Sequence, residues 1–362
     1  MTPSIHTEIC DLLGIRYPIF LAGMAGIANM ASLVSAVSEA GGLGTLGAAY
    51  LEPEQMRQVI REIKKQTSAP FAVNLFARVE PDDLTRFDEV NPALNEVRDS
   101  LGLAHPSHTD IRTPDLFEEK FTVLLEEKVP IVSLTFGLLN ESYTSRAKQA
   151  GMKIIATATT VEEAIQAEQA GCDAIVAQGS EAGGHRGTFD TTIRRMGANI
   201  GAMALVPQMV DCVRIPVIAA GGIMDGRGLA ASLMLGAAGV QMGTRFLTSH
   251  ESGAHPVYKQ ALLNSTEEST VLTDAFSGRP ARGIHNAFIR SWENSRIAPL
   301  PFPAQNTLTR AIRNAAAREN NAEYMALWAG QGTRLLTEDQ AAGEIVEQVM
   351  REAIEKLSAH RK

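Results

Sequence analysis

Short runs of consecutive apolar residues recur along the chain and end in glycine or a polar residue; between them lie longer segments whose apolar positions fall three and four apart. A strand buried on both faces reads as an unbroken apolar run, whereas a helix lying on a sheet shows the three-to-four spacing. Eight such runs occupy residues 18–23, 43–48, 71–76, 131–136, 153–158, 174–179, 216–221 and 239–244. Helices are predicted between them, over 30–40, 53–66, 143–150, 161–170 and 226–235. Eight repeated βα units within about 250 residues match a closed (β/α)8 barrel, the TIM-barrel fold, with a doubly wound sheet as the other arrangement the alternation allows. In a barrel, the loops after the strand C-termini carry the chemistry.

Two stretches exceed a minimal barrel. Residues 77–128 follow the third run and hold Pro81, Pro92, Pro106 and Pro114 among charges, which predicts a loop-rich excursion with short helices. Beyond about residue 255, helices are predicted over 307–318, 322–329 and 337–358. The expected organisation is a barrel over 1–255 and a mostly helical cap and substrate region over 256–362, its last helix packing back on the barrel.

Composition removes several classes of function. Lys and Arg number 33 against 41 Asp and Glu, a formal charge of -8 with no basic block, so nucleic acid is not an expected partner. Hydrophobic residues make up 45% and charged residues 20% of the 362, ordinary for a globular chain. Cys10, Cys172 and Cys212 are odd in number and unpaired in spacing, which argues against a disulfide framework and a zinc site. No basic segment precedes an apolar one at the N-terminus, and no apolar run of about 18 residues occurs, so the expectation is a cytoplasmic monomer or homodimer without a membrane span.

The chemistry concentrates in QGSEAGGHRG, residues 178–187, directly after the sixth run. Gly179, Gly183, Gly184 and Gly187 lack a Cβ, so the backbone there can approach a ligand closely and present His185 to it. An ordinary imidazole titrates near pH 6.5, so His185 is expected to accept or donate a proton near neutrality. Gly42, Gly44 and Gly47 spell G-x-G-x-x-G with Glu62 downstream, but this run leads from a predicted helix into a strand, the reverse of a dinucleotide site, and reads as a helix cap. A better phosphate site lies where Gly221 and Gly222 end the seventh run and Gly243 and Thr244 end the eighth, since bare amides on adjacent strands can converge on one anion. Tight turns also need glycine, so each motif alone has a purely structural reading.

The ordered set AGMAGIAN, AGGLGTLG, PFAVNLF, VAQGSEAGGHRG, VIAAGGIMDGRG, VQMGTRF and SGRPARG resembles the nitronate monooxygenase family, formerly called 2-nitropropane dioxygenases, over nearly the whole chain. The resemblance implies FMN. It places Gly23, Met24 and Asn74 along the flavin, Gln178 and Gly183 at its ring or ribityl chain, and Gly221, Gly222, Gln241, Met242, Gly243 and Thr244 around ring, ribityl chain and phosphate. His185 is implied as the catalytic residue, either hydrogen-bonding the nitro oxygens or abstracting an α-proton. The implied reaction oxidises small anionic alkyl nitronates, propionate 3-nitronate among them, with O2 to a carbonyl compound and nitrite.

The chain departs from the family pattern where relatives often carry histidine near the fourth strand's end and tyrosines in the lid; here stand Thr135, Phe302 and, as a cation for the substrate, Arg310. A flavin-dependent enoyl-acyl-carrier-protein reductase using NAD(P)H shares a similar glycine-histidine loop, and a non-catalytic FMN-binding barrel is a third reading. The HRG end of the loop and the C-terminal motifs favour the monooxygenase. His250 and His255, five apart, lack metal-pair spacing and are expected at the surface or in a loop, and Trp292 and Trp328 are expected to pack the cap.

Overall fold

The computed structural model describes residues 5–77, 80–336 and 340–359. Eight parallel strands form one sheet: β1 (Ile19–Leu21), β2 (Gly44–Gly47), β3 (Phe71–Phe76), β4 (Ile131–Thr135), β5 (Lys153–Ala158), β6 (Ala174–Gln178), β7 (Val217–Ala220) and β8 (Gly239–Met242). Each pairs with its sequence neighbour from β2 to β8, and β1 pairs with β8 in the register Ile19↔Val240. The ring closes between β1 and β2, where Leu43 N donates to Ile19 O at 2.8 Å and Leu21 N to Leu43 O at 2.9 Å. This is the (β/α)8 TIM barrel.

Alternate side chains of each strand face in and out, and both sets are buried. Phe20, Leu43, Ala72, Ile131, Ile155, Val176 and Ile218 fill the interior together with Ile9, Cys10 and Leu13 of an N-terminal helix, Glu8–Leu13. Outward residues such as Val73, Val132 and Val240 meet the ring of helices. Packing from two sides explains why the strands read as continuous apolar runs. The stretch Gly42–Gly47 runs from the Met30–Glu39 helix into β2, with a Cβ at Gly44 falling 2.1 Å from Val34 O, so its glycines serve close packing of helix on strand.

Between β3 and β4, the Phe117–Glu126 helix lies beside the Pro53–Gln66 helix as part of the barrel's ring. The Phe87–Ser100 helix instead packs on the Ala304–Arg318 helix near the C-terminus, through Phe87, Val90, Leu94, Leu308 and Ile312. Arg98 fastens the two: it is 1% exposed, donates to Asn91 Oδ1 at 2.8 Å and Asn95 Oδ1 at 2.6 Å, and reaches Leu308 O at 2.9 Å. Burial without a carboxylate partner pushes its pKa down to about 10. Substituting methionine at Arg98 keeps most of the volume but strands those acceptors; each costs about 1–3 kcal/mol when left unpaired. Arg98→Met is therefore expected to lower the urea unfolding midpoint clearly, and an unshifted midpoint would refute this role.

The C-terminal region carries short strands beside its helices. Strands β9 (Thr270–Thr273) and β10 (Ala281–Ile284) form an antiparallel hairpin, and β10 pairs in turn with the two-residue strand Gly184–His185. Residues 322–329, predicted helical, form only the short 3-10 turn Ala322–Tyr324 before extending along β10, where Ile284 N donates to Leu327 O at 2.9 Å and Ala329 N to Arg282 O at 3.2 Å. Backbone pairing with a strand overrides the local helical preference. The last helix is Ala342–Ala359; the predicted start at Thr337 lies outside the described residues. It packs on the Gly226–Met234 helix so closely that a Cβ at Gly226 would lie 2.4 Å from Ala353 N. Among the described residues no helix is long and apolar enough to cross a membrane.

Candidate active site

At the C-terminal ends of the barrel strands lies a cavity of about 620 Å3, within the range of about 300–1,000 Å3 usual for ligand and cofactor sites. Gly23, Met24, Asn74, Thr135, Gln178, Gly183, His185, Gly221, Gly222, Gln241, Met242, Gly243 and Thr244 all line it. Residues scattered over 222 positions of sequence converge there because each stands on or just past a strand end.

Several of these side chains are set by one another. Gln178 donates through Nε2 to His185 O at 3.0 Å and accepts at Oε1 from Gly187 N at 2.8 Å, so it staples the two ends of the histidine loop. Asn74 turns its amide hydrogens onto β4, toward Ser133 Oγ and Thr135 Oγ1, both at 3.1 Å. Gly23 sits against Asn74, where a Cβ would fall 2.5 Å from the asparagine Cβ. Gly183 has a different reason: its Cβ would strike the Ala329–Gly330 backbone at 2.5 Å, so this glycine admits the C-terminal segment. Gly221 and Gly222 take φ of +116° and +69°, a left-handed turn that leaves bare backbone facing the cavity where β7 ends.

His185 is ringed by Trp328 at 5.5 Å, Phe136 at 5.7 Å, and Phe76 and Phe302 at 6.4 Å between ring centroids. Its Nε2 lies 2.8 Å from Ser277 Oγ. Arg279 stacks over the Phe136 ring at 3.9 Å, next to the imidazole. Desolvation first, then the positive charges of Arg279 and Arg313, push the His185 pKa down to about 3. The expectation of an imidazole shared between protonation states near neutrality is thereby corrected: His185 is neutral across the physiological range.

Not every expected residue lies on the cavity wall. Phe302 belongs to the aromatic ring around His185 and does not line the cavity, and Arg310 is exposed to solvent. Arg313, one helical turn further along, lines the cavity instead; its terminal nitrogen donates to Asn306 O at 2.7 Å and Asn306 Oδ1 at 2.9 Å, while its buried Nε has no partner. No carboxylate stands among the described lining residues. Trp328, expected to pack the cap, forms part of the wall, whereas Trp292 is buried in the C-terminal layer beside Phe288. His255 caps the Pro256–Leu263 helix by accepting from Val257 N at 3.3 Å. Ser277, Arg279 and Arg313 were missed as site residues; SGRPARG contains the first two, but only the C-terminal fold brings them to the histidine loop.

The profile of a family described as nitronate monooxygenase matches residues 6–352. The chain belongs to the nitronate monooxygenase family. A probable nitronate monooxygenase of Staphylococcus saprophyticus is 45% identical over 98% of this chain and 99% of its own. The nitroalkane oxidase of Streptomyces ansochromogenes superposes with a TM-score of 0.91 at 40% identity, covering 97% of this chain and 99% of that one. FabK from Thermotoga maritima superposes with a TM-score of 0.79 at 32% identity, over 99% of both chains. As a member of this family the chain is an oxidoreductase, and the family implies a flavin cofactor. The residues present suit one: a lining of bare glycine backbone along β7 and β8, amides at Asn74, Gln178 and Gln241, and a volume that exceeds what a small substrate alone needs.

Proposed function

We propose that the chain binds FMN and oxidises small alkyl nitronates, propionate 3-nitronate among them, with O2 to a carbonyl compound and nitrite. The observation that carries this reading is the charge of the cavity: Arg313, whose buried Nε has no protein partner, lines a site whose described lining holds no carboxylate, which suits an anionic substrate beside a neutral imidazole. Gly221, Gly222, Gly243 and Thr244 would hold the FMN phosphate and ribityl chain through backbone and hydroxyl donors, with Gly23, Met24, Asn74, Gln178, Gly183, Gln241 and Met242 along the ring and chain. When bound, FMN supplies the electron acceptor and the route to O2. The chain's own part is to hold the anion at Arg313, to keep water out with Phe76 and Trp328, and to set His185 against the substrate.

The likeness to FabK keeps one rival, a flavin-dependent enoyl-acyl-carrier-protein reductase that draws on NAD(P)H. A preparation of the full chain should be yellow, lose its visible flavin absorbance when a nitronate is added without oxygen, and keep it when NADPH is added. Nitrite should then appear once air is admitted. Rapid bleaching by NADPH and none by nitronate would transfer the assignment to the reductase; retained flavin with neither response would leave a binding protein.

A further inference from the structure

We propose that Tyr50 determines specificity at the anionic end of the substrate: its hydroxyl and the Arg313 guanidinium bind the two oxygens of one planar anion, so the site also takes simple carboxylates as non-reacting ligands. This rests on the proposed function and adds to it a second residue at the anion and a class of ligand that does not turn over.

Tyr50 stands three residues past the end of β2, on a turn fixed from several directions. Ala48 N donates to Asn74 O at 3.0 Å, Leu51 N donates to Ala48 O at 3.1 Å, and the buried Lys120 ammonium donates to Ala49 O at 2.7 Å. The Tyr50 ring meets the Phe76 ring edge-on at 5.5 Å, and the same Phe76 ring meets His185 at 6.4 Å, so phenol and imidazole share one aromatic neighbour. Tyr50 is half-exposed and lines the cavity.

Two donors in this cavity lack acceptors. The Tyr50 hydroxyl has no hydrogen-bond partner among the described residues, and of the Arg313 nitrogens only Nη2 has partners, both on Asn306. The two groups nevertheless act on each other: desolvation pushes the Tyr50 phenol up to about 12 while the Arg313 charge pulls it back, and the phenol in turn acts on Arg313. They are neighbours across a space that no hydrogen bond closes. A phenol titrating so high keeps its proton throughout the neutral range, so it donates to an anion instead of repelling it. One charged and one neutral donor, bordering a cavity whose described lining holds no carboxylate, suit an anion that presents an oxygen to each.

A nitronate is such an anion, and so is a carboxylate: both are planar, carry a single charge and hold two oxygens on one atom. Propionate matches ethyl nitronate in shape with carbon in place of nitrogen. That exchange removes the reacting C=N bond, so propionate fills the site without being oxidised. Arg313 supplies the charge, and Tyr50 fixes where the second oxygen lies.

Isothermal titration of the flavin-loaded full chain with propionate, and with its neutral counterpart propionamide, tests the arrangement without turnover. The native chain is expected to bind propionate at least about tenfold more tightly than propionamide, the lower end of what a charge-assisted hydrogen bond contributes. Tyr50→Phe, which keeps the ring and its edge on Phe76, should weaken propionate about tenfold, and Arg313→Met should abolish the preference over propionamide. Because both donors serve one anion, the double variant should lose less than the product of the two single losses. Propionate bound no better than propionamide, unchanged propionate affinity in Tyr50→Phe, or losses that multiply fully in the double variant would each overturn the proposal. If the chain releases no nitrite from ethyl nitronate, the proposed function fails, while the propionate titrations still decide the role of Tyr50.

Discussion

Replacing His185 with alanine is expected to leave a folded, flavin-retaining protein that has lost about 10²–10⁴-fold in kcat/KM for neutral nitroalkanes, the span usual for removal of a positioned proton acceptor. Fold and cofactor should survive because the loop is held by other atoms: Gln178 grips the His185 carbonyl and Gly187 N, and the strand pairing of Gly184–His185 with β10 uses backbone groups alone. Preformed nitronate needs no proton removed, so its turnover should fall by a smaller factor. The depressed His185 pKa adds a pH signature. A base titrating at about 3 is unprotonated throughout the neutral range, so the native enzyme should show no acid limb near the ordinary histidine value of about 6.5. Stopped-flow reduction of the flavin by nitroethane and by ethyl nitronate across pH 5 to 8, native against His185→Ala, makes both comparisons. Nitroalkane reactivity within threefold of native in the variant would remove His185 from the mechanism.

The second large effect concerns the anion. Arg313→Met is expected to raise the KM for nitronates by about 10–100-fold, because a charge-assisted hydrogen bond contributes about 1.5–3 kcal/mol and each 1.4 kcal/mol is a tenfold change. Neutral nitroalkanes, which bring no charge to the site, should be affected far less. Asn306, whose carbonyl and side-chain oxygen receive the guanidinium, sets where the free Nε points. Removing the charge also removes one of the two cations that depress His185, so the variant's histidine should titrate closer to its ordinary value. Arg310→Met, three residues earlier and exposed, should change neither KM nor the pH profile. Equal losses in the two arginine variants would return the anion site to Arg310.

The barrel was legible in the sequence because burial on two faces leaves an unmistakable record. The runs at 71–76 and 153–158 coincide with β3 and β5 to the residue. The hairpin of β9 and β10 left no such record. Each strand is four residues long with half of its positions only partly buried, and the loop that β10 pairs with outside the hairpin lies about a hundred positions away. The same distance hid Ser277 and Arg279, whose motif was visible and whose neighbour was not. Arg310 was chosen over Arg313 because sequence spacing places both on one helix and says nothing of which faces protein and which faces water. The histidine was found by its glycines, yet their purposes differ: Gly183 makes room for the C-terminal segment, and Gly184 supplies a left-handed turn at φ +74°.

The pairing of His185 with Ala281 has an evolutionary corollary. If, as proposed, the strand ends of the barrel hold the cofactor, then the imidazole above it is aimed by chain that arrives after the barrel is complete. Drift in those later residues can therefore retune which molecules react while the pigment stays in place, so a lineage can exchange one chemistry for another without first losing its colour.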